Sequence, residues 1–307
     1  SKVMAGVYEY LPLGLRVLNN ISAIVREEMN AIGGQELHLS IFQDKEIWAK
    51  TGRWESAKNV MYQFKDTRGK DTGLGWTHEE SITAIAKHYL HSYKDLPKAV
   101  YQIQTKFRNE PRAKSGLLRG REFLMKDLYS FHADDKDLNR YYEKAAKAYE
   151  RIFSRVGLAA RRTIATGGLF SKYSDEFQVI SEAGEDIIFA CAGCPYAANK
   201  EVAGELKLGK KCPECGGVLN EERSIEVGNI FKLGTKFSDA FGLFYKDEAG
   251  KEKPVIMASY GIGVGRLMAT IVEAHHDKNG IIWPESAAPF QAHLLELHGA
   301  SGEDFYR

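Results

Sequence analysis

Phe107-Arg108-Asn109-Glu110 and, after a basic loop, Arg119-x-x-x-Phe123-x-x-x-Asp127 form the stretch on which the reading of this chain turns. The segment leading into it alternates. Tyr101, Ile103, Thr105 and Phe107 fall on one face, and Gln102, Gln104, Lys106 and Arg108 on the other, which is the period of a strand. Arg121 to Phe131 is its natural antiparallel partner, and the connecting loop carries Arg112, Lys114 and Arg119. An arginine on the polar face of a strand, with an acid two residues on, can hold a phosphate and an amine side by side. A second arginine and an aromatic on the return strand can grip a terminal phosphate and stack a purine. Taken alone, the pattern fits an ordinary hairpin with solvated arginines equally well.

Working outward, Leu15, Leu18, Ile21, Val25, Met29 and Ile32 make one stripe of a helix that Gly33-Gly34 stops. Thr77 and Glu80 read as the capping box of a second helix, with Ile82, Ile85, Ala86 and Tyr89 as its buried face. A third helix spans 135–156 and a fourth follows Arg266; Ile225 to Leu233 and Val255 to Tyr260 are further strands. Strands and helices do not alternate regularly. The expected fold is therefore α+β, a mostly antiparallel sheet flanked by helices. In Tyr260-Gly261-Ile262-Gly263-Val264-Gly265-Arg266 a strand runs into a helix, with glycines that allow close approach of a ligand and an arginine at the positive helix end. The spacing is not that of a dinucleotide fingerprint, and helix-on-sheet packing would also select glycine.

Lys+Arg 42 against Asp+Glu 41 gives a net charge of +1, so charge alone names no partner. With 44% apolar and 27% charged residues the composition is that of a globule and excludes disorder as the main state. No apolar run reaches the ~18–20 residues that span a bilayer, and no export signal is visible, so a cytoplasmic location is expected. Four cysteines are too few for a disulfide scaffold. Cys191-x-x-Cys194 and Cys212-x-x-Cys215, separated by 17 residues, match a four-thiolate zinc ribbon. Reduced thiols or a redox pair are the alternatives. With four protein ligands such a zinc would be structural, stapling a module too small for its own core. His275-His276-Asp277 reads as a solvated helix end, because adjacent histidines point apart. The expected units are a core over 1–190, an inserted cysteine module over 191–223, a second core segment over 224–284, and a linker with the start of a truncated domain over 285–307. The stretch from Phe290 to Leu297 is the candidate first strand of that domain.

The two central stretches together resemble motifs 2 and 3 of the class II aminoacyl-tRNA synthetases, and the segment from Gly6 to Pro12 with the helix after it resembles motif 1. Thr77-His78-Glu79-Glu80, the string from Tyr101 to Arg108, and the string from Arg121 to Asp127 narrow the likeness to prolyl-tRNA synthetases of the bacterial type. Gly228, Leu233-Gly234-Thr235-Lys236 and Gly280-Ile281-Ile282-Trp283-Pro284 extend it along nearly the whole chain.

The resemblance implies activation of proline by ATP to prolyl-adenylate and pyrophosphate, then transfer to the 3′ end of tRNA-Pro, by a homodimer that uses neither membrane nor DNA. Arg108 would bridge the α-phosphate and the proline carboxylate, and Arg266 and Arg119 would hold the outer phosphates. Glu110 and Phe123 would take the adenine, with Gly263 and Gly265 beside the nucleotide. Mg²⁺ would bridge the phosphates, with Glu226 as a protein ligand. Thr77 and Glu79 would meet the prolyl ammonium, with Ser259, Glu176 and the rest of Ser174–Phe177 at the pocket edge. The family more often has His where Asp175 and Asn229 stand. Only 49 residues separate Glu176 from Glu226, too few for the family's editing insertion, so no editing in cis is expected. Adenylation is expected to persist, and tRNA charging to be weak, without an anticodon-binding domain. The basic loop is the candidate contact with the tRNA acceptor end.

Overall fold

The computed structural model describes residues 1–113, 115–168 and 170–294. Its centre is a nine-stranded sheet. The strands are β1 (Gln35–Glu36), β2 (Lys98–Phe107), β3 (Glu122–His132), β4 (Ala160–Thr166), β5 (Tyr173–Ile180), β6 (Asp186–Cys191), β7 (Ala197–Asn199), β8 (Leu219–Gly234) and β9 (Ile256–Gly263). They lie in the order β5-β4-β7-β6-β8-β9-β3-β2-β1, with β5 also pairing with β8. Only β1–β2 and β4–β7 are parallel, so the expectation of a mostly antiparallel sheet holds.

The helices are α1 (Pro12–Ala31), α2 (Glu79–Ala86), α3 (Asp135–Arg155) and α4 (Val264–Ala274), with short turns at Lys45–Ala49, Arg53–Ser56 and Lys236–Phe241. α1, α3 and α4 cover one face of the sheet. Val25, Met29, Tyr149, Phe153, Leu267 and Ile271 meet Leu128, Phe177, Ile230 and Ile262 in a single core. Gly228 is needed there, since a Cβ would lie 3.1 Å from both the Tyr149 and Phe153 rings. The opposite face stays open over the middle of β3, β8 and β9, and a second core of Leu39, Ile82, Phe131, Phe237 and Met257 closes one end.

Two local expectations are corrected, and the strand before Arg108 adds a third finding. The helix after Thr77 begins at Glu79, its N-cap is His78 without a side-chain bond, and no capping box forms. Thr77 Oγ1 instead donates to the Glu79 carboxylate at 2.6 Å, a charge-assisted bond. On the same helix Ile82 and Ala86 are buried, but Ile85 and Tyr89 are exposed, the latter at 72%. On β2 the polar face is the more buried one: Gln102 and Lys106 are fully enclosed. The strand alternates in polarity because both faces are covered, one by the helices and one by the polar interior.

β6, β7 and the start of β8, which flank the cysteines, are strands of the main sheet, and β8 runs unbroken through residue 223. Lys114 and residues 295–297 of the expected strand lie outside the described residues, and 290–294 form no helix or strand.

Candidate active site

The open face of the sheet holds a cleft of about 380 Å³ lined from many separate segments of the chain. β3 contributes Phe123, Met125, Asp127 and Tyr129; β8 contributes Glu226, Asn229 and Phe231; β9 contributes Ser259, Gly261 and Gly263. Arg108 and Glu110 enter from the end of β2, and Arg266 from the first turn of α4. These positions share one face because β9 pairs with β3 in register Gly263↔Met125 and Gly261↔Asp127, while β8 pairs with β9 at Asn229↔Gly261. The side-chain period of two then puts every second residue of β3 and β9 into the cleft, and a bulge in β8 between Glu226 and Gly228 lets both Glu226 and Asn229 line it.

The two arginines converge. Arg108 rests between the rings of Phe123, 5.2 Å from its centroid, and Trp76, at 5.9 Å. Its Nε–H reaches the Trp76 carbonyl at 3.4 Å, and among the described residues it has no carboxylate partner. Burial pushes its guanidinium below the ordinary value, and the positive Arg266 pushes it the same way. Arg266 is better satisfied, donating to the Leu118 carbonyl at 2.8 Å and to Glu226 Oε2 at 3.0 Å. Two cations facing a half-enclosed space can take an anion between them.

At the other end Glu79 is almost enclosed, held by Thr77 and by the buried Arg53 at 3.0 Å. Behind it Asp127 meets Lys106 Nζ at 2.7 Å and accepts from Tyr129 Oη at 2.9 Å, while Tyr129 Oη accepts the His78 amide at 3.1 Å. Burial holds the His78 imidazole down at about 4, so it stays neutral. The cleft therefore offers both cations, Arg108 and Arg266, and a carboxylate, Glu79, among aromatic side chains of Trp76, Phe170 and Phe231. That arrangement suits a ligand carrying phosphates at one end and an ammonium at the other.

Three expected residues stand off this cleft. Arg119 bonds Glu110 at 3.1 Å and Glu185 at 2.6 Å, beside a smaller cavity that shares Glu226 and Arg266 with the main one. Gly265 is occupied from the protein itself, because a Cβ there would lie 2.7 Å from the Tyr10 hydroxyl. Glu176 lies behind Asn229, accepting from Gln178 at 2.8 Å and Asn199 at 3.2 Å; burial and the nearby Glu226 charge push it up to about 8. Asp175, on the opposite face of the same strand, pairs with Tyr142 and Arg162, whereas Asn229 lines the cleft. Sequence reasoning missed Arg53, Trp76 and Phe170 as lining residues, and it quoted Asp127 in the hairpin pattern without a role. The local signal for Arg53 was the Gly52 before it, which takes φ +71°.

A family description, "tRNA synthetase class II core domain (G, H, P, S and T)", matches residues 62–275. A proline–tRNA ligase of Sulfurimonas denitrificans is 40% identical, covering 98% of this chain and 75% of its own. Proline–tRNA ligase 1 of Anaeromyxobacter dehalogenans is 35% identical over 95% of this chain and 77% of its own. The chain belongs to the prolyl-tRNA synthetases of class II. The second alignment runs over 444 residues, so that relative carries long stretches with no counterpart in this shorter core. Among solved structures, prolyl-tRNA synthetase of Giardia lamblia in complex with prolyl-adenylate superposes with a TM-score of 0.76 at 19% identity, over 94% of this chain and 52% of its own. The Cryptosporidium parvum enzyme complexed with L-proline and AMP gives 0.74 at 15%, over 95% and 52%. This synthetase core thus spans about half the length of those neighbours, which share its fold.

In this synthetase the four cysteine sulfurs lie within 4.8 Å of one another. Cys191 faces Cys215 at 3.4 Å and Cys194 faces Cys212 at 3.6 Å, with all four thiols free. A tetrahedron with Zn–S bonds of about 2.3 Å has S···S edges of ~3.8 Å, so the donor set fits zinc in size and chemistry. The Gly193 amide donates to Cys191 Sγ at 3.3 Å, as a thiolate-bearing turn requires. His275 and His276 are spent on the carbonyls of Gly157 and Val272. Ser130, His132 and Asp137 form a hydroxyl–imidazole–carboxylate line, but Ser130 is fully enclosed under α3 and bonded to Tyr260, out of reach of any substrate.

Proposed function

We propose that this cleft joins proline to ATP, forming prolyl-adenylate and pyrophosphate, and that the prolyl group then passes to the 3′ end of tRNA-Pro. The observation that carries the reading is the convergence of Arg108 and Arg266 on one cavity whose far end is the Thr77–Glu79 carboxylate. Glu79 accepts from the secondary ammonium, while Arg108 bridges the proline carboxylate and the α-phosphate. The carboxylate is already a nucleophile, so no general base is needed. It attacks the α-phosphorus, the bond to the β-phosphate oxygen breaks, and the guanidinium stabilises the charge that builds on the phosphoryl oxygens.

Phe123 stacks on the adenine, and Glu110 accepts from its amino group once Arg119 has turned toward the outer phosphates. Gly263 admits the nucleotide close to the backbone, and Ser259 forms part of the pocket wall. Glu176 acts behind Asn229. Mg²⁺ would add positive charge at the outer phosphates. Glu226 suits it, having one oxygen on Arg266 and the other without a protein partner among the described residues. Zn²⁺ on Cys191, Cys194, Cys212 and Cys215 would be structural. We place this chemistry in the cytoplasm; no described helix is long and apolar enough to cross a membrane. Exposed Val3, Met4, Leu11 and Leu13 give a homodimer an apolar surface to cover.

Exchange of labelled pyrophosphate into ATP, run over the full set of amino acids, tests the reading. Exchange that depends on proline is expected, and its absence would refute the proposal. Stability of alanyl-tRNA-Pro in the presence of the protein tests the absence of editing.

A further inference from the structure

Arg53 is the least expected charge in the cleft. It sits at the first position of a short turn after Gly52, is 4% exposed, and lines the same cavity as Glu79. One of its nitrogens serves both acids of the Glu79-Glu80 pair, Glu79 Oε2 at 3.0 Å and both oxygens of Glu80 at 3.1 Å. The guanidinium carbon lies 4.7 Å from the Trp76 ring centroid, 5.2 Å from that of Trp48, and 5.5 Å from those of Phe170 and Phe237. Two buried carboxylates on consecutive residues repel each other, and without a cation one of them must take a proton. Glu80 is fully enclosed and also accepts from Thr51 Oγ1 at 2.7 Å, so it is fastened to the protein from two sides. Glu79 alone of the pair lines the cleft.

We propose that Arg53 is a positioning residue for amino-acid recognition: its shared nitrogen holds the Glu79 side chain in place for the substrate ammonium, while Glu80 anchors the arginine from behind. The aromatic rings confine the guanidinium, so it cannot swing into the cleft and repel the incoming cation. The inference rests on the reading that Glu79 meets the prolyl nitrogen.

The test uses the whole chain in proline-dependent pyrophosphate exchange, with KM measured separately for proline and ATP. Arg53→Gln is expected to raise the proline KM about tenfold or more, with the ATP KM within about twofold of wild type, as fits loss of a charge-assisted contact. Arg53→Lys, which keeps the charge on a shorter reach, is expected to fall between the two; if Arg53→Gln does not fold, this variant decides alone. Equal rises in both KM values, or a fall in kcat with neither KM changed, would mark Arg53 as structural and overturn the inference. So would unchanged kinetics, provided Glu79→Gln raises the proline KM. An unchanged proline KM in Glu79→Gln would instead overturn the ammonium reading itself, and this inference with it.

Discussion

Arg108→Gln separates function from stability in opposite directions. Arg108 makes only a long bond to the Trp76 carbonyl and stacks between two rings, while burial and Arg266 both oppose its charge. Its terminal nitrogens are therefore held ready for an anion that the protein itself does not supply. If they make two charge-assisted bonds to the carboxylate and α-phosphate in the transition state, at ~1.5–3 kcal/mol each, their loss removes ~3–6 kcal/mol of stabilisation. Proline-dependent pyrophosphate exchange should slow by ~10²- to 10⁴-fold. Glutamine keeps the aliphatic stem, though it is two atoms shorter, and removes the repulsion with Arg266, so the unliganded protein should be unchanged or stabilised by up to ~1 kcal/mol. Exchange kinetics and a thermal melt on the same preparation decide the matter. An exchange rate within tenfold of wild type refutes the catalytic role. A melting temperature that falls by more than about 5 °C refutes the claim that this charge is held at a cost to the fold.

Glu176→Gln addresses the raised carboxyl near 8. Between about pH 4.5 and 8 the unfolded chain has lost this proton and the folded chain keeps it, so the group's contribution to stability falls as pH rises through that window. The variant should melt ~2–5 °C higher than wild type at pH 8.5 and equal to it near pH 4; a difference independent of pH would contradict the assignment. Gly184→Ala would place a Cβ 2.2 Å from the Ser224 carbonyl oxygen. The clash is with backbone, which cannot rotate aside, so denaturant melts should show a loss of ~1–3 kcal/mol or more. Thiol modification in the presence of a zinc indicator should release one zinc per chain and raise hydrogen exchange over 191–219. Cys194→Ser should lower the zinc content, and no release from freshly purified protein would exclude the metal.

What was legible in the sequence was whatever a local period carries. The β2–β3 hairpin and α3 declared themselves because polarity repeats within each element, and the cysteine cluster because a metal-binding turn needs only four consecutive residues. Period reports polarity, though, and not exposure. The polar face of β2 is sealed, with Lys106 paired to Asp127 on the neighbouring strand. Thr77 shows the same limit from the other side: its residue type and spacing fit a cap, and its hydroxyl donates to Glu79 instead.

Arg53 and Gly265 were opaque because their reasons lie elsewhere in the chain: the carboxylates of Glu79 and Glu80 for one, the Tyr10 hydroxyl for the other. No pattern within a window can show a contact whose partner is decided by strand order. The same limit explains why the sequence singles out Arg108 and Arg266 but does not show that they meet. Arg108 follows β2 and Arg266 lies in the first turn of α4, and the β2–β3 and β3–β9 registers together turn them toward each other. Folding would not choose to set two cations in one half-buried space, since their repulsion opposes it. A strand register that imposes the encounter, with only Arg266 of the two given a carboxylate partner among the described residues, supports a space shaped for an anion.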